Sequence, residues 1–368
     1  MCRDSIGPVP DDLLTPDPLQ PYDAVLLVSF GGPEGPDDVL PFLRRVTAGR
    51  GIPDERLVEV GEHYALFGGR SPINQRTDEQ LRALRSELKN RGSELPVILG
   101  NRNWYPLLDE VLPELAAAGH RRVLAITTSA YPSWSSCRQY RENLAAAAPA
   151  ELTVERVRNY ATHPGFVTAN VSAVGKALSE LSGDPATTRL VFVTHSIPDQ
   201  MALSSGPEPR DRDGEYVNWH RHVAQAVAAE AAPELPWELA FCSRSGAPSQ
   251  PWLEPDINDL LTDMAAQGVT DVVISPIGFI SDHMEVVYDL DHEAAETAEE
   301  LGIRMVRAAT VGTDPQFIAG LADVALERAA EARGEQVHPA VLPGAPIGLT
   351  VCPANCCVNP RQPDKPAI

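Results

Sequence analysis

Short apolar runs alternate with helical patterns along almost the whole of this 368-residue chain. The runs typical of buried strands are 24–30, 97–100, 122–128, 152–157, 190–194, 239–242, 272–277 and 305–310. The clearest helical patterns between them are 77–90, 107–118, 167–181 and 219–232. Such alternation predicts right-handed βαβ units, in which helices cover both faces of a parallel sheet.

The pattern falls into two similar halves, and the chain is long enough for two α/β domains of ordinary size. We therefore expect an α/β fold of two Rossmann-like domains with parallel sheets and an active-site cleft between them. The expected parts are a loose tail (1–20), domain 1 (21–180), domain 2 (181–315), and a C-terminal helix returning to domain 1 with a Cys-rich tail (316–368). Because neither G-x-G-x-x-G nor Walker A occurs, no motif supports nucleotide binding.

The charge of the chain restricts its partners. A net charge of −21 repels nucleic acids and anionic membranes, so neither is an expected partner. No apolar stretch reaches the roughly 18–20 residues that span a bilayer, and the first residues lack the order of a signal peptide. We expect a cytoplasmic protein without a transmembrane segment. A monomer is expected, because no apolar stretch is assignable to an interface.

Polar residues follow two of the apolar runs, at the position where open α/β sheets bind ligands. His195 ends one run, and the other leads to Glu285, Asp289 and Glu293 at four-residue spacing. On a helix these acids share one face with about 40° of drift per step, and a bound cation or proton would relieve their repulsion. The alternatives are a structural histidine, a solvated acidic face, and a capping box formed by Asp282 and Glu285.

The six cysteines are not expected to form a disulfide framework in a cytoplasmic protein. Cys352, Cys356 and Cys357 fall within six residues beside Pro and Asn. Clustered thiols suit a soft metal or an iron–sulfur cluster, which usually needs four thiolates. Cys137, in a polar loop after a strand, is the preferred fourth ligand, and Cys242 is expected to be an inert buried thiol.

Several segments, in order along the chain, together resemble the ferrochelatases, the enzymes that insert ferrous iron into a porphyrin. They are LLVSFGGP (26–33), HYALFGGRSPI (63–73), THSIP (194–198), SRSG (243–246) with WLEP (252–255), and GFISDHME (278–285). They cover nearly the whole chain from about residue 22. The resemblance implies that His195 and Glu285 are the facing catalytic pair, and that Asp289 and Glu293 continue a path for Fe²⁺ or protons.

The acidic composition and the cysteine pattern are most similar to the actinobacterial branch of this family, which carries a [2Fe-2S] cluster. By resemblance, the four ligands are Cys137, Cys352, Cys356 and Cys357, and the substrate is coproporphyrin III, giving coproheme in haem biosynthesis. The alternatives are protoporphyrin IX, another divalent metal in another tetrapyrrole, and a non-catalytic tetrapyrrole or iron–sulfur sensor.

Metallation needs a base for two pyrrole protons and a dry slot for the ring. We expect His195 to accept the protons and Glu285 to hold iron or shuttle protons. Aromatic rings and hydroxyls are available to the porphyrin face, and the basic segment 44–50 is available to the propionates. The candidate porphyrin contacts are Phe30, Arg50, Tyr64, Ser71, Tyr131 and Tyr140.

Overall fold

A computed structural model describes residues 16–49, 51–207, 213–245, 249–359 and 362–368. In these residues the strands form two four-stranded parallel sheets, so the predicted α/β class and all the predicted strands are confirmed. The first sheet has the order β2-β1-β3-β4, with β1 (Ala24–Ser29), β2 (Val97–Asn101), β3 (Arg122–Thr127) and β4 (Thr153–Arg156). The second has the order β6-β5-β7-β8, with β5 (Thr188–His195), β6 (Trp237–Cys242), β7 (Asp271–Ser275) and β8 (Arg304–Arg307).

The central strands are buried on both faces, which explains why they read as continuous apolar runs rather than alternating ones. Every residue of β1 and of β7 is buried. In the first sheet Leu26 pairs with Ile98 and Ala125. In the second sheet β5 lies between β6 and β7, so its last residue, His195, emerges from the middle of the sheet edge.

Helices connect most of the strands. They are α1 (Pro36–Val46), α2 (Asp54–Ala65), α3 (Ile73–Asn90), α4 (Leu108–Ala117), α5 (Gln139–Ala147), α6 (Pro164–Ser179), α7 (Asp199–Leu203), α8 (Gly214–Ala231), α9 (Ile257–Ala266), α10 (Met284–Tyr288), α11 (Ala294–Glu300) and α12 (Pro315–Ala332). The predicted helices correspond to α3, α4, α6 and α8. Two π-helical turns occur, Trp134–Arg138 and Asp289–Glu293. In the described part of the chain, no helix combines the length and apolar character needed to cross a bilayer.

The two sheets share a core. α6 follows β4 in the chain, yet it packs against α8, β7 and β8 of the second sheet, while α12 packs against α3, α6 and β3. Side chains from both sheets, such as Leu27, Leu124, Phe192 and Val273, belong to one buried cluster. The domain boundaries given above stay a prediction, since α6 lies against both halves.

Candidate active site and cysteine site

His195 and Glu285 meet at the carboxyl edge of the second sheet. β5 ends at His195, and the segment after the adjacent strand β7 leads into α10, which carries Glu285 in its first turn. The Nε2 atom of His195 lies 3.5 Å from the Oε2 atom of Glu285. Their side chains are 32% and 54% exposed, so both can be reached from outside the protein.

The charges of this pair stabilise each other. The Nδ1 atom of His195 is hydrogen-bonded to the carbonyl oxygen of Ser196, so Nδ1 carries a proton and Nε2 is presented to Glu285. Burial lowers the pKa of His195, but the hydrogen bond and charge of Glu285 outweigh burial and raise that pKa above its usual value. Burial raises the pKa of Glu285, and the opposing interactions with His195 and His283 bring it down to about 2. The histidine is therefore a stronger base than a free imidazole.

A buried polar network supports the backbone behind His195. The Tyr216 hydroxyl donates to the His195 carbonyl oxygen at 2.9 Å and lies 2.9 Å from the Thr194 Oγ1 atom. His220 bonds the Tyr216 carbonyl through Nδ1 at 2.7 Å, and burial lowers the pKa of His220 to about 3, so its Nε2 accepts from Thr194. A Cβ atom on Gly278 would lie 2.0 Å from Thr194 Oγ1, so only glycine allows this close approach.

The acidic row is not one continuous α-helix. Glu285 lies in α10, whereas Asp289 opens the π-helical turn, in which the Ala294 N–H donates to the Asp289 carbonyl five residues earlier. The prediction that the three acids share one α-helical face with a regular drift is therefore wrong beyond Asp289. A π-helical turn rotates by a smaller angle per residue than an α-helix does. Asp289 is buried, while Glu285 and Glu293 are exposed.

Asp289 is the acid of this row that titrates near neutrality. Burial raises its pKa, the Ser243 hydroxyl that donates to its Oδ2 atom lowers it, and the charge of Glu285 raises it again, to about 7 in total. Ser243 reaches this position with a left-handed backbone (φ 63°). Asp289 therefore can take up and release a proton at physiological pH.

The alternative capping box does not form. α10 begins after His283 without a side-chain cap, and Asp282 instead pairs with Arg307 at 3.2 Å and accepts from Thr310 at 3.3 Å. The Asp282 carboxylate therefore pairs with Arg307 at the end of β8 and does not cap α10.

One candidate porphyrin contact, Tyr64, lies close to the pair, and a second, Phe30, packs against the same apolar cluster. Phe30 and Tyr64 pack edge-on against Phe42, each with ring centres 6.2 Å apart, and Met284 of α10 belongs to the same apolar cluster. Burial and the charge of Glu285 raise the pKa of Tyr64, which places this ring near the acid. Helices α1 and α2 therefore pack against α10 through this apolar cluster.

The other candidates have different surroundings. Ser71 is buried, and its N–H donates to the Pro33 carbonyl at 3.0 Å. Tyr131 is buried, stacks on His220 at 3.6 Å and donates to the Ile277 carbonyl at 3.1 Å. Both residues are committed to contacts inside the protein.

Tyr140 and the basic segment complete the candidate set. Tyr140 is buried among the residues under the first sheet, with the Arg102 guanidinium 4.4 Å from its ring centre. Arg50 lies outside the described residues. Its neighbour Arg44 pairs with Asp54.

The four candidate cysteines converge, although Cys137 is far from the others in sequence. Cys137 lies in the first π-helical turn, with its Sγ atom 3.9 Å from that of Cys357, which in turn lies 3.8 Å from the Sγ atom of Cys356. Cys352 packs against these three, and none of the four forms a disulfide. A cavity of about 180 Å³ is lined by Cys137, Cys352 and Cys356.

Hydrogen-bond donors surround these sulfur atoms. Arg156 donates to the Cys352 Sγ atom at 3.0 Å, and the Gly206 N–H donates to the Cys357 Sγ atom at 3.0 Å. Gly206 belongs to the second half of the chain, so the tail contacts both halves. Cys242 is buried at the end of β6, as expected, and burial raises its pKa well above the usual value.

Across the described ranges, no group of three or more His, Cys, Asp or Glu side chains surrounds the position of a single metal ion. At the active site the His195–Glu285 pair supplies two ligand groups. At the cysteine site the sulfur atoms are in van der Waals contact.

Three residues of the site, Ser243, Tyr216 and His220, were not predicted from the sequence. Ser243 is the first residue of SRSG (243–246), one of the segments that resemble the ferrochelatases. Tyr216 and His220 lie four residues apart on α8, and nothing in the sequence distinguishes them.

Comparison with known proteins gives one consistent family. Residues 22–329 match the ferrochelatase profile. The chain is 53% identical over 360 residues to coproporphyrin III ferrochelatase of Streptomyces griseus, covering 94% of this chain and 96% of that protein. It is 52% identical over 363 residues to coproporphyrin III ferrochelatase of Streptomyces coelicolor, covering 94% and 96%. The sirohydrochlorin chelatase SirB from Bacillus subtilis matches with a TM-score of 0.48 at 11% identity, over 84% of this chain and 97% of that chain. The chain belongs to the ferrochelatase family.

Proposed function

We propose that this protein inserts Fe²⁺ into coproporphyrin III and releases Fe-coproporphyrin III, coproheme, in haem biosynthesis. The observation that carries the proposal is the His195–Glu285 pair, 3.5 Å apart and reachable at a sheet edge. It occurs in a chain about half of whose residues are identical to those of coproporphyrin III ferrochelatases over nearly the full length. The choice of coproporphyrin over protoporphyrin rests on those relatives.

In the proposed mechanism His195 is the acceptor of pyrrole protons. Metallation replaces two pyrrole N–H bonds by bonds from nitrogen to iron, so two protons must leave the ring. The neutral Nε2 atom of His195 takes a proton, and the Glu285 carboxylate stabilises the imidazolium that results. Asp289, whose pKa of about 7 lies near the cellular pH, then relays the proton outward past Glu293. His195 is neutral again after this transfer and takes the second pyrrole proton by the same route.

Iron enters as a substrate through the same polar residues. A carboxylate and an imidazole bind Fe²⁺ without the tenacity of thiolates, so the ion can be passed on. Because the pair offers two ligand groups, incoming Fe²⁺ keeps exchangeable water positions for the porphyrin nitrogens. The half-buried Phe30 offers an apolar face to the macrocycle, and the buried Tyr64 and Met284 belong to the apolar cluster behind it.

We also propose that the four cysteines hold a [2Fe-2S] cluster. Two thiolates on one tetrahedral ion at about 2.3 Å lie about 3.8 Å apart. Each iron of a [2Fe-2S] cluster takes two thiolates, so one of the two separations from Cys357, 3.9 Å to Cys137 or 3.8 Å to Cys356, fits such a pair. The adjoining cavity leaves room for the rest of the cluster. A bound cluster would supply a cross-link between the tail and the first half and a one-electron redox centre. A cytoplasmic monomer remains our prediction from composition.

The test is anaerobic incubation of the purified protein with Fe²⁺ and either coproporphyrin III or protoporphyrin IX, followed by metalloporphyrin absorbance. We expect faster formation of coproheme, its loss in His195→Ala, and its retention in the control His222→Ala, an exposed histidine of α8. Faster metallation of protoporphyrin IX would overturn the assignment of coproporphyrin III as the substrate. Porphyrin binding without metallation would favour a sensor, and preferred insertion of Co²⁺ or Ni²⁺ would favour another chelatase.

A further inference from the structure

One buried arginine near the cysteines, Arg156, has no acidic partner among the described residues. Arg138 and Arg158 pair with the buried carboxylates Glu142 and Glu327. Arg141 donates through Nε to Ile368, the last residue. In contrast, no Asp or Glu side chain of the described residues pairs with Arg156, although it is about 4% exposed. A buried charge is costly unless an opposite charge lies nearby. The nearest candidates for that charge are the cysteine sulfur atoms.

Arg156 is aimed at these sulfur atoms by its other contacts. Its Nη2 atom donates to the Cys352 Sγ atom and to the Leu349 carbonyl, both at 3.0 Å, and its Nη1 atom donates to the Val157 carbonyl at 3.0 Å. The guanidinium is therefore held from both sides, on β4 and on the tail. Its Nε–H is buried and has no partner among the described residues.

Asn159 provides a second donor near the cysteines. It is buried and lines the 180 Å³ cavity together with Cys137, Cys352 and Cys356. Its Oδ1 atom accepts from Arg156 at 3.5 Å, which fixes the orientation of the amide, and its Nδ2 donor has no partner in the described part of the chain. Gly348 packs closely on the Asn159 backbone, since a Cβ atom on Gly348 would lie 2.6 Å from the Asn159 carbonyl oxygen.

Buried N–H donors without a protein partner, beside a cavity lined by cysteines, indicate an acceptor-rich, anionic ligand. Cysteine thiolates and inorganic sulfide are such acceptors, and their negative charge can balance that of Arg156 in place of a carboxylate. We infer that Asn159 and Arg156 are positioning residues that donate hydrogen bonds to the sulfur atoms of the iron–sulfur cluster and raise its reduction potential. The inference rests on the cluster proposed above.

The direction of the effect follows from charge. Reduction adds one electron, and therefore one negative charge, to the cluster, while all four bonds to cysteine remain. Hydrogen bonds and positive charge near the sulfur atoms stabilise the more negative state, so they make the potential less negative. Arg156 supplies charge and hydrogen bonds, whereas Asn159 supplies a hydrogen bond alone.

The experiment is a mediated redox titration with dithionite on the full-length protein, followed by the EPR signal of the reduced cluster. We expect the potential to become more negative in Asn159→Leu and further so in Arg156→Gln, with Arg156→Lys between wild type and Arg156→Gln. Matched controls are Asn170→Leu, a buried amide of α6 bonded to the Phe166 carbonyl, and Arg82→Gln, which removes one exposed charge. Both controls should retain the wild-type potential.

Iron and sulfide content is measured first on every variant. Purified wild-type protein without iron and sulfide would overturn the cluster itself, and this inference with it. A cluster that is present but keeps its potential in Asn159→Leu and Arg156→Gln would overturn the inference alone. If Arg156→Gln does not assemble a cluster, Asn159→Leu and Arg156→Lys decide, since wild-type potentials in both would also overturn it.

Discussion

Replacing Tyr216 by phenylalanine removes one hydroxyl from the network behind His195. The hydroxyl donates to the His195 carbonyl, so the substitution leaves that buried oxygen without its donor, while Thr194 keeps its bond to His220. One unsatisfied buried group costs about 1–3 kcal/mol. The entropy of unfolding is about 2.1 cal/mol/K per residue, or roughly 0.8 kcal/mol/K for this chain, so we expect the melting temperature to fall by about 1–4 °C.

The same substitution should also slow metallation. Outer hydrogen-bond partners of ligand side chains are worth about 10- to 100-fold in activity. Because Tyr216 holds the backbone of His195 and not its ring, we expect a loss near the lower end, about tenfold, in kcat rather than in KM for the porphyrin. Anaerobic steady-state assays of Fe²⁺ insertion measure both constants.

Tyr160→Phe is the matched control. Tyr160 is also buried, and its hydroxyl donates to the Thr127 carbonyl at the end of β3 at 2.7 Å, in the first sheet. It should lose a similar amount of stability and keep its kcat. The reasoning is refuted if Tyr216→Phe keeps the wild-type kcat, or if Tyr160→Phe lowers kcat by as much.

Three further outcomes are expected. Glu285→Gln removes the charge that raises the pKa of His195, so the rising limb of kcat/KM against pH should move to lower pH; an unchanged or higher limb would contradict this. Ser243→Ala removes the hydrogen bond that lowers the pKa of Asp289, so Asp289 should release its proton only above pH 7, as carboxyl infrared bands would report; a lower pKa would be the contrary result. The folded pKa of Asp289 already exceeds the unfolded value of about 3.9, so its protonation favours the fold at low pH, and that contribution is lost as pH rises through about 7. Cys352→Ser should lose visible cluster absorbance and melt at a lower temperature, and an unchanged spectrum would remove Cys352 from the ligand set.

The alternation of apolar runs and helical patterns was sufficient to predict the fold, because burial of an element determines where its apolar residues occur. The strands β1 and β7 are covered on both faces, so their sequences are apolar throughout and visible without any structure. His195 and Glu285 were predictable for a related reason, since parallel strands bring the residues that follow them to one edge. Cys352, Cys356 and Cys357 were identifiable from their clustering in the sequence, and Cys137 from its polar loop after a strand.

Other parts of the site depend on packing that no local pattern encodes. The π-helical turn at Asp289 replaces an i→i+4 bond by an i→i+5 bond, and the same residues at four-residue spacing fit an α-helix equally well. Tyr131 stacks on His220, a residue 89 positions away, so its inward orientation is decided by tertiary contacts. Arg156 reaches Cys352 across 196 residues, for the same reason without a signal in the sequence.

The spacing of the cysteines also has a consequence during synthesis. Cys137 and Cys357 are 220 residues apart, and the whole second sheet is encoded between them. A polypeptide that stops before residue 352 contains all the strands described above but only one of the four thiols. Assembly of the four-cysteine site therefore requires translation through residue 357, after both sheets have been synthesised.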